Sequence, residues 1–319
     1  MSTTTAFCLS SSGPLRNQTS RKLRVCTPST LKRPRVSRIS LDGDPRTSRR
    51  RWTSSVAPVV TVFASSPFAQ AVALNSVLFV AARTIHQKAL TDAGLRHAFA
   101  LGVILWSSLS WPGYTLCFSF LIFGSLVTRI GQEKKEALGI AEKRHGARGP
   151  ENLWGAAGVS ALCAVGAAVT RLLLHVAATP SIQILNSTLL VGYTASLATK
   201  FADTTSSEIG KAYGTATYLV TSLKQVPRGT EGAVSLEGTA AGIFAACVTA
   251  LYAAAVGLIR GPVDAIICVF AAFVATTAES YIGASIQDRL GWSNEFVNFL
   301  NTLIGAVIAM VLYLVFRTN

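Results

Sequence analysis

The sequence predicts an all-α, polytopic membrane protein with about seven to eight transmembrane helices, preceded by a disordered transit peptide over residues 1–64. Half of the residues are hydrophobic, only 14% are charged, and the mean hydropathy is +0.44. These values are typical of chains that cross a bilayer several times rather than of soluble globular proteins. Residues 65–319 form the predicted helical membrane domain.

The first 63 residues carry most of the net charge of +14, because they hold 12 of the 29 Lys and Arg but only two acids, Asp42 and Asp44. They are rich in Ser and Thr, lack a compact apolar core, and become basic only after an uncharged beginning, MSTTTAFCLSSSG. This composition is typical of a cleaved chloroplast transit peptide. A basic arm that binds RNA is the alternative interpretation. We expect no nucleic-acid partner.

Eight apolar segments follow, several of them near the roughly 20 residues that cross a hydrocarbon core. They lie at residues 66–82, 97–112, 114–130, 153–177, 182–199, 238–258, 263–282 and 297–316. If all eight cross, one side of the membrane receives 14 Lys and Arg, and the other receives only Arg260 and Arg317. By the positive-inside rule the basic side faces the stroma. Arg171 lies within the fourth segment, where it either snorkels to an interface or meets a buried ionic partner.

The longest polar stretch, KFADTTSSEIGKAYG, begins where the fifth apolar segment ends. Read as a helix, it places one stripe of polar side chains within an arc of roughly 140°. The members of the stripe are Lys200, Asp203, Thr204, Ser207, Glu208 and Lys211. A solvated helix leaving the membrane, with local ion pairs, would explain the same pattern.

A second polar stretch, VPRGTEGAVSLEGT, leads into the sixth apolar segment. It combines three charged residues and three glycines: Arg228, Glu231, Glu237, Gly229, Gly232 and Gly238. Glycines allow backbone amides to approach a phosphate closely, and a helix N-terminus attracts anions. An ordinary loop between helices is an equally good interpretation.

Further polar groups belong to the same predicted side. Glu279 lies near the end of the seventh segment, where a carboxylate needs a partner or a function, an interhelical hydrogen bond being the simpler explanation. Asn294, Asn298 and Asn301 share one helical face and could equally hold helices together. The loop EKKEALGIAEKRHGARGPENLWG (133–155) contains a predicted surface helix with Lys134 and Lys135, and then a basic cluster ending at Arg148. That cluster suits either anionic lipid headgroups or a phosphate.

Carboxylates, cations and glycines gathered at one membrane face suit magnesium and a polyphosphate. Mg²⁺ takes one or two carboxylates together with phosphate oxygens, and phosphoryl transfer requires cations around the transferred group. The segment SSEIGKA contains the Gly-Lys pair of a P-loop but neither its earlier glycine nor its following Ser or Thr. Any nucleotide site must therefore be of a membrane type.

Four of these motifs resemble an integral-membrane family that includes transmembrane protein 19 and the plant phytyl-phosphate kinases. The motifs are KFADTTSSEIGKAYG, VPRGTEGAVSLEGTAAG, AEKRHGARGP and ESYIGASIQD, and the likeness runs from about residue 95 to 315. The resemblance implies a membrane-bound kinase that transfers a phosphoryl group from a nucleoside triphosphate, by similarity CTP, to phytyl phosphate. The phytyl diphosphate formed would enter tocopherol (vitamin E) biosynthesis. The implied location is a plastid membrane of the envelope type, and the implied partners are the lipid bilayer, phytyl phosphate and the nucleotide.

Chemistry then suggests roles for residues within these motifs. The expected catalytic residues are Asp203, Lys211, Arg228 and Glu279. Those expected to bind substrate and nucleotide phosphates are Lys200, Ser206, Ser207, Gly229, Gly232, Arg148 and Asn298. The expected magnesium ligands are Asp203, Glu208, Glu231 and Glu237.

Three other functions are alternatives to this one. A related prenol kinase or cytidylyltransferase would differ only in its acceptor. A transporter of prenyl phosphate or another anion would place its polar groups near the bilayer midplane, often in broken helices. A structural membrane scaffold would have no need of the charge concentration.

Overall fold

The computed structural model describes residues 66–85, 89–141 and 147–318, which form a helical bundle with one small β-hairpin. The helices are α1 (Pro67–Thr84), α2 (Asp92–Arg129), α3 (Gln132–Ala137), α4 (Pro150–Val176), α5 (Pro180–Tyr213), α6 (Leu236–Ala255), α7 (Pro262–Ser285), α8 (Gln287–Leu290) and α9 (Asn294–Thr318). The strands are β1 (Thr217–Leu219) and β2 (Ala233–Ser235). The all-helical membrane architecture is therefore confirmed. The predicted leader, residues 1–64, lies outside the described residues.

Five of the described helices are long and apolar enough to cross a membrane by length and composition. They are α2, α4, α6, α7 and α9. α1 and α5 contain the remaining predicted segments, 66–82 and 182–199, and α5 continues without a break into the polar stretch. Its hydroxyl and charged side chains are thus held on the last turns of a 34-residue helix.

α2 contains two of the predicted segments because the chain reverses direction at Ser110, whose φ of 56° is not helical. Asn75 of α1 contacts both arms: its side chain accepts a hydrogen bond from Tyr114 Oη (3.1 Å) and lies against Gly102. In a straight helix those two positions would be about 18 Å apart. Pro112, just after the break, cannot donate the hydrogen bond that would continue the first arm. Residues 92–109 and 111–129 are therefore the two arms of a helical hairpin.

Arg171, predicted either to snorkel or to meet a buried ionic partner, donates a hydrogen bond to the backbone at this break. Its guanidinium donates to the carbonyl oxygen of Ser108 at 2.5 Å. Carbonyl groups at the end of a helix lack intrahelical donors, so a side-chain donor satisfies one of them. The Arg171 side chain is exposed, so its guanidinium lies at the surface of the bundle.

α5 and α6 pack most extensively of all helix pairs, through small residues spaced four apart. A Cβ atom on Gly238 would lie 2.5 Å from the carbonyl oxygen of Ser206, and one on Gly242 would lie 3.0 Å from that of Ala202. Small residues let two membrane helices approach until their backbones touch. This contact fixes the polar end of α5 beside the N-terminus of α6.

The segment between α5 and α6 folds over the same end of the bundle. β1 and β2 pair antiparallel, with Thr217 opposite Ser235 and Leu219 opposite Ala233. Gly232 has a φ of +70°, and a Cβ atom there would lie 2.4 Å from the carbonyl oxygen of Ser280 in α7. Gly232 therefore serves close packing of this loop on α7.

The bundle has two chemically different ends. Asp264, in the first turn of α7, accepts from the backbone N–H of Arg260 (2.9 Å) and lies 3.4 Å from Arg317. Glu279 lies 15 residues further along the same helix, or about 22 Å away. Arg260 and Arg317 thus lie at one end, and the polar end of α5 lies at the other.

Candidate functional site

A polar cavity of about 270 Å³ opens at the end of the bundle that holds the polar stretch of α5. Its walls are mainly α5, α6, the segment 229–235, the C-terminal half of α7, and the first turns of α4 and α9. Six charged side chains line it: Arg148, Lys200, Lys211, Asp203, Glu231 and Glu279. Three cations and three carboxylates in one chamber are formally balanced, so the cavity can bind a metal–phosphate complex without a large excess of either sign.

Lys200 is a buried cation that links α5 to α9 in the wall of the cavity. Its ammonium lies 2.6 Å from Asp203 Oδ2, one turn along α5, and 2.6 Å from Asn298 Oδ1 on α9. The residue is only 9% exposed, and both partners line the cavity. A buried ammonium requires such paired acceptors, because desolvating an isolated charge is costly.

Glu279 of α7 faces the same network from the opposite wall. Asp203, Lys200 and Glu231 are its charged neighbours, and its carboxyl group lies close enough to that of Asp203 to interact with it directly. Glu279 therefore has the partners that a carboxylate in a membrane helix requires. Two carboxyl groups so close repel each other unless a proton or a cation is shared between them.

Hydroxyl groups form much of the remaining polar surface. Ser206 and Ser207 line the cavity as predicted, and Thr204 lines it beside them. The hydroxyls of Thr276, Thr277 and Ser280 on α7 also line the cavity and were not among the predicted site residues. A helical reading of TTAES would have found them, because these positions lie within one turn of Glu279.

Arg148 enters the cavity from the segment before α4. The backbone holds it in place, since Thr91 N donates to Arg148 O and Arg148 N donates to Ala89 O, each at 3.0 Å. Its guanidinium lies over the ring of Phe120, 5.2 Å from the centroid, and beside Gly124. Gly124 leaves room for that side chain. The basic cluster immediately before it, residues 142–146, lies outside the described residues.

All seven residues that were predicted to bind phosphate line the same cavity: Lys200, Ser206, Ser207, Gly229, Gly232, Arg148 and Asn298. Asn294 lies there too, whereas Asn301 is fully buried one turn further along α9. Among the residues predicted to be catalytic, Asp203, Lys211 and Glu279 also line it. Arg228 does not, and its side chain is exposed on the loop.

Two of the predicted magnesium ligands lie elsewhere. Glu208 is 1% exposed and accepts from Lys135 of α3, with Lys211 3.5 Å away. Glu237 accepts from the backbone N–H (3.0 Å) and the hydroxyl (2.5 Å) of Thr215. Neither carboxylate lines the cavity, which leaves Asp203 and Glu231 from the predicted set.

The prediction that Lys135 lies on a surface helix is wrong. Its side chain is fully buried, and its ammonium donates to Glu208 and to the carbonyl oxygen of Thr128 at 2.6 Å. Gly131, with a φ of +62°, starts α3 in a left-handed conformation that redirects the chain after α2. The short helix thereby directs one lysine into the bundle.

A magnesium ion in this cavity would have few protein ligands and would be held mainly by phosphate oxygens. The described residues contain no preformed cluster of three or more His, Cys, Asp or Glu side chains that could hold a metal ion. Asp203, Glu231 and Glu279 nevertheless supply oxygen donors to one chamber that also holds three cations. Magnesium commonly binds in this way, through one or two carboxylates, substrate phosphates and water.

A helical membrane bundle with a charged cavity at one end is the class of protein that the fold and the site define. The chain belongs to the family described as "Integral membrane protein DUF92", whose model matches residues 75–306. The resemblance to an integral-membrane family drawn from the four motifs is confirmed. No solved structure matches the chain.

Relatives are found in cyanobacteria, plants and archaea. The uncharacterized membrane protein sll0875 of Synechocystis is 50% identical over 246 residues, which cover 76% of this chain and 90% of the relative. "Protein VTE6, chloroplastic" of Arabidopsis thaliana is 38% identical over 259 residues, covering 78% of this chain and 73% of the relative. The uncharacterized membrane protein MJ0933 of Methanocaldococcus jannaschii is 29% identical over 235 residues, covering 71% and 87%.

Proposed function

We propose that this protein is a phytyl-phosphate kinase of a chloroplast membrane. It would transfer the γ-phosphoryl group of a nucleoside triphosphate, CTP in our proposal, to phytyl phosphate and supply phytyl diphosphate for tocopherol biosynthesis. Three findings support the proposal: the family membership, the likeness to a chloroplastic plant protein, and the motifs shared with plant phytyl-phosphate kinases. The observation that carries it is the single cavity in which Arg148, Lys200 and Lys211 meet Asp203, Glu231 and Glu279.

The reaction is a displacement at phosphorus. An oxygen of the phytyl phosphate attacks the γ-phosphorus, the bond from that phosphorus to the β,γ-bridging oxygen breaks, and the nucleoside diphosphate leaves with that electron pair. A phosphate monoester has a second pKa near 6, so the attacking group is largely dianionic near neutral pH. It carries no proton that must be removed. The protein therefore needs positioned charge rather than a general base.

The residues of the cavity match that requirement. Arg148, Lys200 and Lys211 would bind oxygens of the two phosphate groups, and a guanidinium can hold two oxygens at once. Asp203, Glu231 and Glu279 would hold magnesium, which neutralises charge on the β- and γ-phosphates when it is bound. The hydroxyl groups of Ser206 and Ser207 would orient the donor. The cavity would face the stroma, where its nucleotide is dissolved.

The experiment is an assay of the purified protein in detergent with phytyl phosphate, Mg²⁺ and each of ATP, CTP, GTP and UTP. We expect phytyl diphosphate to form, with CTP the best donor. Failure to form the diphosphate with every donor would refute the kinase proposal. Uptake of prenyl phosphate into proteoliposomes without nucleotide consumption would favour a transporter instead.

The matched variants are Asp203→Asn and Glu133→Gln. Asp203 contacts both Lys200 and Glu279 in the cavity, whereas Glu133 is an exposed carboxylate outside it. We expect Asp203→Asn to abolish turnover while the protein still elutes from size exclusion as the parent does. Glu133→Gln should keep parental turnover. Unchanged turnover in Asp203→Asn would remove this carboxylate from the mechanism.

A further inference from the structure

A second cavity, of about 340 Å³, lies among α1, both arms of α2 and the beginning of α4. Its walls are mainly hydrophobic, with side chains such as Leu78, Phe79, Leu95, Leu105 and Leu121. Of the six charged side chains of the polar cavity, only Arg148 also lines this apolar cavity. Apolar chambers of this size with few polar groups are typical of sites for small apolar ligands.

The two cavities adjoin. Arg148, Asn152 and Ala156 line both of them, so a guanidinium stands where the apolar chamber meets the charged one. Asn152 is held there by Glu295 of α9, to which its amide donates at 3.1 Å. An amphiphile with an anionic head and a long apolar chain would match the two cavities, with its head in the charged cavity and its chain in the apolar one.

The apolar cavity runs along the first arm of α2 from Leu95 to Leu105, and Tyr114 and Asn75 line its far end. From Leu95, near Arg148, to Leu105 this arm rises about 15 Å. At the far end Tyr114 donates to Asn75, whose own amide donates to the carbonyl oxygen of Ala71 at 2.8 Å. Asn75 and Tyr114 are 5% and 8% exposed and satisfy each other, so they form a fixed wall.

We propose that the apolar cavity holds the isoprenoid chain of the acceptor, with the acceptor phosphate at Arg148 and the chain directed towards Tyr114 and Asn75. This inference rests on the proposed function and adds the site that selects the acceptor. Lipid tails are as apolar as the cavity walls, so burial alone gives no advantage over the bilayer. The cavity instead fixes the chain and so fixes the distance between the acceptor phosphate and the charged groups. Its far wall limits the chain length.

The first test fills the cavity. Leu105 lines the cavity about 15 Å along the arm from Leu95, whereas Ala100 on the same arm is exposed. We expect Leu105→Trp to lower kcat/KM for a twenty-carbon prenyl phosphate by about tenfold or more, because an overfilled far end excludes the end of the chain. The same variant should change kcat/KM for a ten-carbon prenyl phosphate by less than about twofold, since the shorter chain ends before Leu105, and Ala100→Trp should alter neither value. Losses of the same size for both acceptors, or no loss for either, would overturn the inference.

The second test uses the unsubstituted protein and measures binding rather than turnover. A prenyl phosphate carrying a diazirine at the far end of its chain is photolysed in the detergent-solubilised protein, and the labelled peptides are identified by mass spectrometry. We expect labels in α1 and in residues 92–109, with competition by phytyl phosphate. Labels restricted to outward side chains such as Phe244 and Phe270 would contradict the assignment.

A bilayer lipid is the alternative occupant, and a diazirine-bearing phospholipid tests it. If that phospholipid labels the same cavity peptides and phytyl phosphate does not displace it, the cavity is a lipid site and the proposal is wrong. The two proposals can fail separately. A parent protein that transfers phosphate to no acceptor refutes the kinase proposal, while photolabelling still decides whether a prenyl chain occupies this cavity.

Discussion

The buried pair of Lys135 and Glu208 offers the sharpest test of how the bundle holds its charged end together. Lys135 is 0% exposed and Glu208 is 1% exposed. The perturbation is Lys135→Met, which keeps the length of the side chain and removes its charge. It leaves the Glu208 carboxylate buried, with Lys211 at 3.5 Å as its remaining cation in the described structure.

The expected cost follows from that remaining contact. Removing one member of a buried ion pair destabilises a protein by about 3–5 kcal/mol. Because Lys211 remains 3.5 Å from the Glu208 carboxylate and offsets part of its charge, the lower end of that range, about 3 kcal/mol, is expected. For a domain of this size 1 kcal/mol corresponds to about 2–4 °C, which gives a fall of about 6–12 °C in the unfolding midpoint.

The assay is thermal unfolding in a fixed detergent, compared among Lys135→Met, Glu208→Gln, the double variant and Lys224→Met. Lys224 is exposed, so its variant should unfold within about 2 °C of the parent. The double variant should recover part of the lost stability, because no unpaired buried charge remains. A Lys135→Met midpoint close to the parent's would refute the reasoning. So would a Glu208→Gln variant of parental stability that needs much more Mg²⁺, because Glu208 would then be a metal ligand.

Other predictions concern packing and the cavity. Gly238→Leu should lower the unfolding midpoint by more than about 5 °C, because its Cβ atom would clash with the α5 backbone. Ala240 is exposed, so Ala240→Leu should leave the midpoint unchanged. An unchanged midpoint for Gly238→Leu would disprove the close helix contact. Arg171→Ala should lower the free energy of unfolding by only about 1 kcal/mol in the same assay. A much larger loss would mean that the contact of Arg171 with the Ser108 carbonyl stabilises the helix break by more than a single hydrogen bond does. Lys200→Met should lower turnover at least about 100-fold without loss of folded protein, and retained turnover would exclude this ammonium from phosphate binding.

Helical spacing in the sequence was enough to predict which side chains share a face, but not what covers that face. The stripe from Lys200 to Lys211 is present on α5, and Lys200, Asp203 and Lys211 reach the cavity. Glu208 belongs to the same stripe, yet α3 covers it and supplies Lys135. That covering depends on the turn at Gly131 between two helices, which periodicity does not encode.

The loops were the least predictable part of the site. Gly232 was interpreted as a phosphate-binding glycine, and it does line the cavity, but its positive φ and its contact with Ser280 show why that position has no side chain. Arg228, four residues earlier, was expected in the cavity and is exposed. Loop side chains follow turn geometry and contacts with distant helices. Neither is visible in a hydropathy pattern.

The reversal at Ser110 determines at which end of the bundle α1 begins and α9 ends. With two passes in α2, the described helices traverse the bundle an even number of times, since α1, α4, α5, α6, α7 and α9 add one pass each. Pro67 and Arg317 therefore emerge on the same face, remote from the polar cavity. A reporter attached after α9 would therefore lie on the side of the bundle opposite to the polar cavity, and its accessibility to an impermeant reagent would reveal which way the described bundle is oriented in the membrane.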